Sequence, residues 1–111
     1  MGVIASLHDP QDRKRALERI RKLWNDGNVE ILQHAQDRMA ERNFDVHDVR
    51  QIIEHGKISE ISRPHDLWRY KISGRSVENK RAACVVELND RLIIVTVVDL
   101  TRARKANGEP S

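Results

Sequence analysis

The sequence is short of most residues that carry recognisable chemistry. It has one cysteine, Cys84, in 111 residues. A lone cysteine forms no intrachain disulfide, which fits a reducing cytoplasm as the expected location. The five histidines are scattered, and neither a CxxC nor an HExxH spacing occurs, so no metal site is expected. No Gly-rich phosphate loop of either common type is present, and no cofactor is expected. Two Trp, one Tyr and one Phe are too few for extensive base stacking. No run of about 18 apolar residues exists, so no membrane span is expected. The stretch from Met1 to Leu7 is too short for a signal peptide and lacks its charged start.

What is present fits one small domain. Hydrophobic residues make up 39% of the chain and charged residues 33%, enough for one core under a heavily solvated surface. The net charge is +3 and the sequence pI about 9.4. That balance favours polyanionic partners such as nucleic acid or an acidic protein, against the plainer reading of a solvated surface with surplus lysine and arginine. Residues 1–8 are expected to be a flexible N-terminus, 9–100 a single α+β domain, and 101–111 a mobile basic tail.

The apolar spacing is helical first and alternating later. Asp9-Pro10 reads as a helix start, and Ala16, Leu17, Ile20, Leu23 and Trp24 form its stripe until Asn25-Asp26-Gly27-Asn28 ends it. Its other faces carry Lys14, Arg15, Arg19, Arg21 and Lys22 against Glu18 alone. Val29 to Leu32 reads as a strand fragment or as the lead-in to the next helix. Residues 33–42 read as a helix with Ala35 and Met39 inward, broken by Asn43. Asp45 caps a third helix with Asp48 at the capping-box position and Phe44 and Val49 placed as a staple. Val46, Val49, Ile52 and Ile53 form its expected buried stripe, and Gly56 closes it as a left-handed C-cap.

Four strands are then expected, at 57–63, 67–73, 80–88 and 91–99. Pro64-His65-Asp66 is a turn, 74–79 a polar loop, and Asn89-Asp90 a hairpin turn. Trp68, Tyr70 and Ile72 alternate with Arg69 and Lys71. The run Leu92 to Val98 is apolar on both faces and reads as the central strand, covered by helix on one side. The expected architecture is about three helices packed on a four-stranded antiparallel sheet.

Two groups of residues stand out for chemistry. His34, Arg38 and Arg42 recur every fourth residue and form one helical ridge. Two guanidiniums and an imidazole suit a phosphate and a proton transfer. The plainer reading pairs the arginines with Glu41 or Asp45. On the sheet, Arg69 and Lys71 share a face that Arg81 joins from the next strand, with Tyr70 adjacent. Cations beside an aromatic match single-stranded RNA contacts, while the plainer reading is a solvated outer face. Cys84, inside Ala82-Ala83-Cys84-Val85-Val86, reads as a small buried hydrophobe.

The stretch His34-Ala35-Gln36-Asp37-Arg38-Met39-Ala40-Glu41-Arg42, then Asp48-Val49, Gly56, Arg69-Tyr70-Lys71, Val85-Val86 and Ile94-Val95-Thr96-Val97 resembles the DUF4258 family over about residues 33–98. Members of that family resemble the RelE/ParE-like toxin superfamily and the BrnT and MqsR toxins. The resemblance implies a toxin-like α+β fold, a ribonuclease role in a bacterial toxin–antitoxin system, RNA as substrate, and a zinc-finger or helix-turn-helix antitoxin as partner. The matching mechanism is metal-free RNA cleavage. His34 would act as base or acid, Arg38, Arg42, Arg69, Lys71 and Arg81 would hold phosphate, and Tyr70 would stack or donate a proton. This requires the helix ridge and the sheet cations to face one cleft. The alternatives are a non-catalytic module that binds nucleic acid or protein, and an inert adaptor.

Overall fold

The computed structural model describes residues 10–101. Asp9, the expected flexible N-terminus and most of the expected tail lie outside the described residues. Thr101, the first residue of that tail, accepts a hydrogen bond from the Arg81 N–H at 3.2 Å.

Helix α1 spans Pro10–Asn25, strand β1 Val29–Ile31, helix α2 Gln33–Glu41 and helix α3 Val46–His55. Strands β2 (Lys57–Ser62), β3 (Arg69–Arg75), β4 (Arg81–Leu88) and β5 (Leu92–Asp99) follow. The three helices and the last four strands follow one another as expected, but a further strand, β1, falls between α1 and α2, and the sheet has five strands in the order β1-β5-β4-β3-β2. It is mixed rather than wholly antiparallel, because β1 runs parallel to β5, Val29 beside Leu92 and Ile31 beside Ile94. Three residues are too few to show a strand period, so β1 is decided by its partner. Leu92 donates to the Asn28 carbonyl at 2.9 Å, and Leu32 donates to that of Ile94 at 3.1 Å.

This fifth strand also moves the centre of the sheet. β4 is central, with Ala82, Ala83, Cys84, Val86 and Glu87 all buried. β5 is interior only where β1 borders it. Val95, Thr96 and Val98, beyond the reach of β1, are accordingly half-buried.

Pleating sorts the side chains onto two faces. Tyr70, Ile72, Cys84, Val86, Ile94 and Val97 are buried and face each other across neighbouring strands, Tyr70 with Val86, Ile72 with Cys84, Val86 with Ile94. They meet Ile20 and Leu23 of α1, Ala35 and Met39 of α2, and Val49, Ile52 and Ile53 of α3 in one core. All three helices therefore cover one face. Arg69, Lys71, Ser73 and Arg75 of β3 alternate onto the other.

Helix α3 is seated by close contacts at both ends. The Asp45 carboxylate accepts from the N–H groups of His47 and Asp48, at 2.9 and 3.2 Å. The Asp48 carboxylate accepts from the Asp45 N–H and, with its other oxygen, from Val77 N–H of the β3–β4 loop, both at 2.9 Å. The capping box thus also anchors a loop 29 residues away. At the other end Gly56 has φ −82 and ψ −176, an extended conformation and not the expected left-handed cap. Its glycine is required by proximity. A Cβ there would lie 2.5 Å from the Ile52 carbonyl oxygen and 2.6 Å from that of Ser73. Opposite it stands Gly74, a strand residue and not part of a loop, where a Cβ would lie 3.1 Å from the Gly56 Cα. Val46, expected in the buried stripe, is 46% exposed.

Helix α1 is held by arginines that reach main-chain carbonyls. Arg21 donates to the Ile53 and Gly56 carbonyls at 2.8 and 3.0 Å, satisfying the end of α3. Arg13 reaches the Ile58 carbonyl and Arg19 that of Asn89, each at 3.4 Å.

Gly56→Ala should lower the free energy of unfolding by about 1–3 kcal/mol, the usual cost of forcing a methyl into a filled site. Urea denaturation measures it, and an unchanged midpoint would show that the helix can lift from the strand cheaply.

Candidate functional site

The expected site residues fall into two groups on different layers. His34, Arg38 and Arg42 lie on α2, whose Ala35 and Met39 are buried against the core. The ridge therefore belongs to the helix layer. His34 is exposed, and Arg38 and Arg42 are half-buried. Arg38 pairs with Glu41 at 3.2 Å. Neither His34 nor Arg42 has a side-chain partner among the described residues.

Arg69, Lys71 and Arg81 lie on the face of the sheet that no helix among the described residues covers. Arg69 stands opposite Glu87, and its Nε donates to the carboxylate at 2.7 Å. With the Glu87 side chain only 11% exposed, this is a partly buried, charge-assisted pair. Lys71 lies 3.5 Å from the Glu60 carboxylate on the edge strand. Arg81 stands opposite Arg75 three rows away, and no carboxylate neutralises that pair among the described residues. Arg75 itself donates to the Asn79 carbonyl at 3.1 Å. The sheet lies between the two groups, so the single cleft that the cleavage mechanism needs is not formed. Hydrophobic periodicity places each residue on its own element but cannot say which sheet face the helices cover.

Tyr70 does not share that face. It is 7% exposed and turned toward the helices. Burial, followed by the negative charge of Asp12, pushes its phenol above the ordinary range. The ring is a core side chain with a protonated hydroxyl and is not available for base stacking. Cys84 is fully buried, and burial pushes its thiol up to about 12. The thiolate needed for nucleophilic chemistry is therefore suppressed. Among the described residues no three His, Cys, Asp or Glu side chains converge as metal ligands. No helix of the described residues is long and apolar enough to cross a membrane.

Two features of the helix layer were not singled out as sites by sequence reasoning. The first is α1, which carries Arg13, Lys14, Arg15, Arg19, Arg21 and Lys22 against Asp12 and Glu18. Among the described residues only Lys22 and Arg15 of this helix approach a carboxylate, Asp26 at 3.0 Å and Asp12 at 3.9 Å. Arg13, Arg19 and Arg21 are bonded to carbonyl oxygens, which satisfy their N–H groups without cancelling their charge. The lopsided charge of α1 was legible in the sequence; the carbonyl partners were not. The second is a groove of about 350 Å³ between the end of α1, strand β1 and the start of α3, lined by Trp24, Val29, Ile31, Val46, His47 and Arg50. Nothing in the linear order links these residues.

Two outcomes test these assignments. Arg69→Ala should lower the free energy of unfolding by about 1–3 kcal/mol, because Glu87 loses a charge-assisted partner in a nearly buried position. A neutral result in thermal or urea unfolding would return Arg69 to the list of ligand-binding cations. Cys84 should react with a thiol-specific disulfide reagent at pH 8 only as fast as the protein opens, and reaction at the rate of a free thiol would contradict its burial.

The family model described as a domain of unknown function, DUF4258, matches residues 31–99. No curated protein and no solved structure matches the chain. The matched segment is more than half of the chain, begins at the end of β1 and closes with β5, so α1 packs onto the matched unit from outside it. The chain belongs to the DUF4258 family.

Proposed function

We propose that this domain binds nucleic acid, with single-stranded RNA as the ligand, through the basic surface of its helix layer. The observation that carries the proposal is the run of cations without a carboxylate partner along the helix layer, where Arg15, Lys22 and Arg38 are the paired exceptions among the described residues. On the opposite sheet face, Arg69 and Lys71 face carboxylates of Glu87 and Glu60, which leaves Arg75 and Arg81 as the unneutralised cations there. On the helix layer, Arg13, Arg19 and Arg21 face carbonyls, while Arg42 faces nothing among the described residues. Carboxylate-paired cations must give up a partner to take a phosphate. Carbonyl-bonded and unpaired cations keep their full field, and that field attracts a polyanion.

Metal-free cleavage by a toxin related to the RelE/ParE group is a second reading. One observation favours it: His34 and Arg42 are both unpartnered on one helix, an imidazole and a guanidinium two turns apart. In that reading the sheet cations are structural, and the chain would be silenced by an antitoxin covering the same basic surface.

Fluorescence anisotropy with a labelled single-stranded RNA across a salt series tests the first reading. Binding should weaken with salt, with a log–log slope of about −2 to −3 if three or four phosphates are held. Replacing Lys14, Arg15 and Arg19 by Gln should flatten the slope and weaken binding about tenfold or more. Absence of binding at low salt, or salt-independent binding, would refute it. The same samples run on a denaturing gel read the second. RNA cut by the parent chain and spared by His34→Ala, together with growth arrest on expression alone, would put cleavage first.

A further inference from the structure

We infer that the groove at the end of α1 is a nucleobase subsite, with Trp24 and the aliphatic walls taking the ring and Arg50 taking the attached phosphate. The inference rests on the RNA-binding reading above and specifies where one base of the strand goes.

Three observations point to that occupant. The first is the chemistry of the walls. Trp24 is half-buried, so its indole both belongs to the core and borders the groove. Val29, Ile31 and Val46 complete an apolar lining. An aromatic with aliphatic neighbours takes a planar, sequence-tolerant ring, and stacking of this kind is worth about 1–3 kcal/mol per base. The second is the charge at the rim. His47 and Arg50 stand on the face of α3 that borders the groove; both are exposed, and neither side chain has a partner among the described residues. An apolar slot with a free guanidinium at its mouth complements a ligand that is flat and apolar at one end and anionic at the other. The third is size. A volume of about 350 Å³ is at the small end for ligand sites. It suits one heterocycle with its sugar and is cramped for the apolar face of a partner helix.

The exposure of Val46 acquires a reason here. A valine 46% exposed at the first turn of a helix contributes little to the core, yet it supplies one wall of the slot. The groove is also contiguous with the basic helix. Lys22 and Arg19 precede Trp24 on α1 by two and five residues, within about two turns. A strand whose phosphates follow α1 therefore reaches the groove at the helix end.

The test uses the full chain and reads tryptophan emission, with Trp24→Phe identifying the responding residue against Trp68. Adenosine 5′-monophosphate should quench the emission, and the signal should vanish in Trp24→Phe. Arg50→Gln should weaken the nucleotide about tenfold, the value of one charge-assisted hydrogen bond, and change adenosine binding little. Val46→Glu should abolish nucleotide binding by narrowing and charging the slot. An acidic residue in the first turn of a helix is favourable, so this variant should stay folded by circular dichroism. Oligonucleotide quenching that competes with the mononucleotide assigns the site to a strand; mononucleotide quenching without competition assigns it to a free nucleotide. If RNA binds in the anisotropy assay but Trp24 does not respond, the subsite is overturned and the RNA-binding reading stands. If the nucleotide quenches Trp24 while RNA fails to bind at low salt, the subsite stands and that reading falls. Quenching by an acidic amphipathic peptide and by no nucleotide would make the groove a protein-docking site and overturn the assignment.

Discussion

The contact between Gly56 and Gly74 sets how closely the third helix lies on the sheet, and most of the remaining geometry depends on it. A methyl at either position meets backbone, not a side chain that can turn away. With both absent, Ile52 and Ile53 reach full burial, and the carbonyls of Ile53 and Gly56 come within reach of Arg21. Arg21 then ties α1 to the end of α3. At the other end Asp48 ties the β3–β4 loop to the same helix. One close crossing thus positions a helix, a loop and a second helix.

Arginine has two structural roles in this domain, and the difference has electrostatic consequences. Across the sheet, Arg69 is bound to a carboxylate that is itself nearly buried, so the pair is close to neutral and its partners are hard to separate. On α1 the guanidiniums of Arg13, Arg19 and Arg21 satisfy carbonyls. Such bonds fix the side chain while leaving a full positive charge at the surface. A residue count treats these arginines alike, but a phosphate approaching the protein would not.

The family match begins at Ile31, the last residue of β1, and the groove lies across that boundary. Trp24 comes from the helix outside the matched segment, Ile31 is its first matched residue, and Val46, His47 and Arg50 come from α3 within it. Val29 lies just before it. A site of this kind belongs to the combination of the common unit with the added helix. Family members with a different N-terminal element would lack the aromatic wall.

The sequence alone determined the elements that local chemistry encodes. The capping box at Asp45 and Asp48, the stop at Asn43 and the α1 stripe need only neighbours along the chain, and each forms where its residues indicate; the hairpin after Leu88 also forms, but with a three-residue loop, Asn89 to Arg91, in place of the two-residue Asn89-Asp90 turn. The family was legible for the same reason, as its signature is a series of short local segments. Tertiary structure decided what depends on distant partners. β1 became a strand because β5 offers it a parallel edge, and its pairing made β4 the centre of the sheet. Gly56 is needed for proximity and not for a positive φ. The His34 ridge and the Arg69 row were separated by the sheet itself: alternation gives each strand two faces, and only the packing of the helices determines which face is covered.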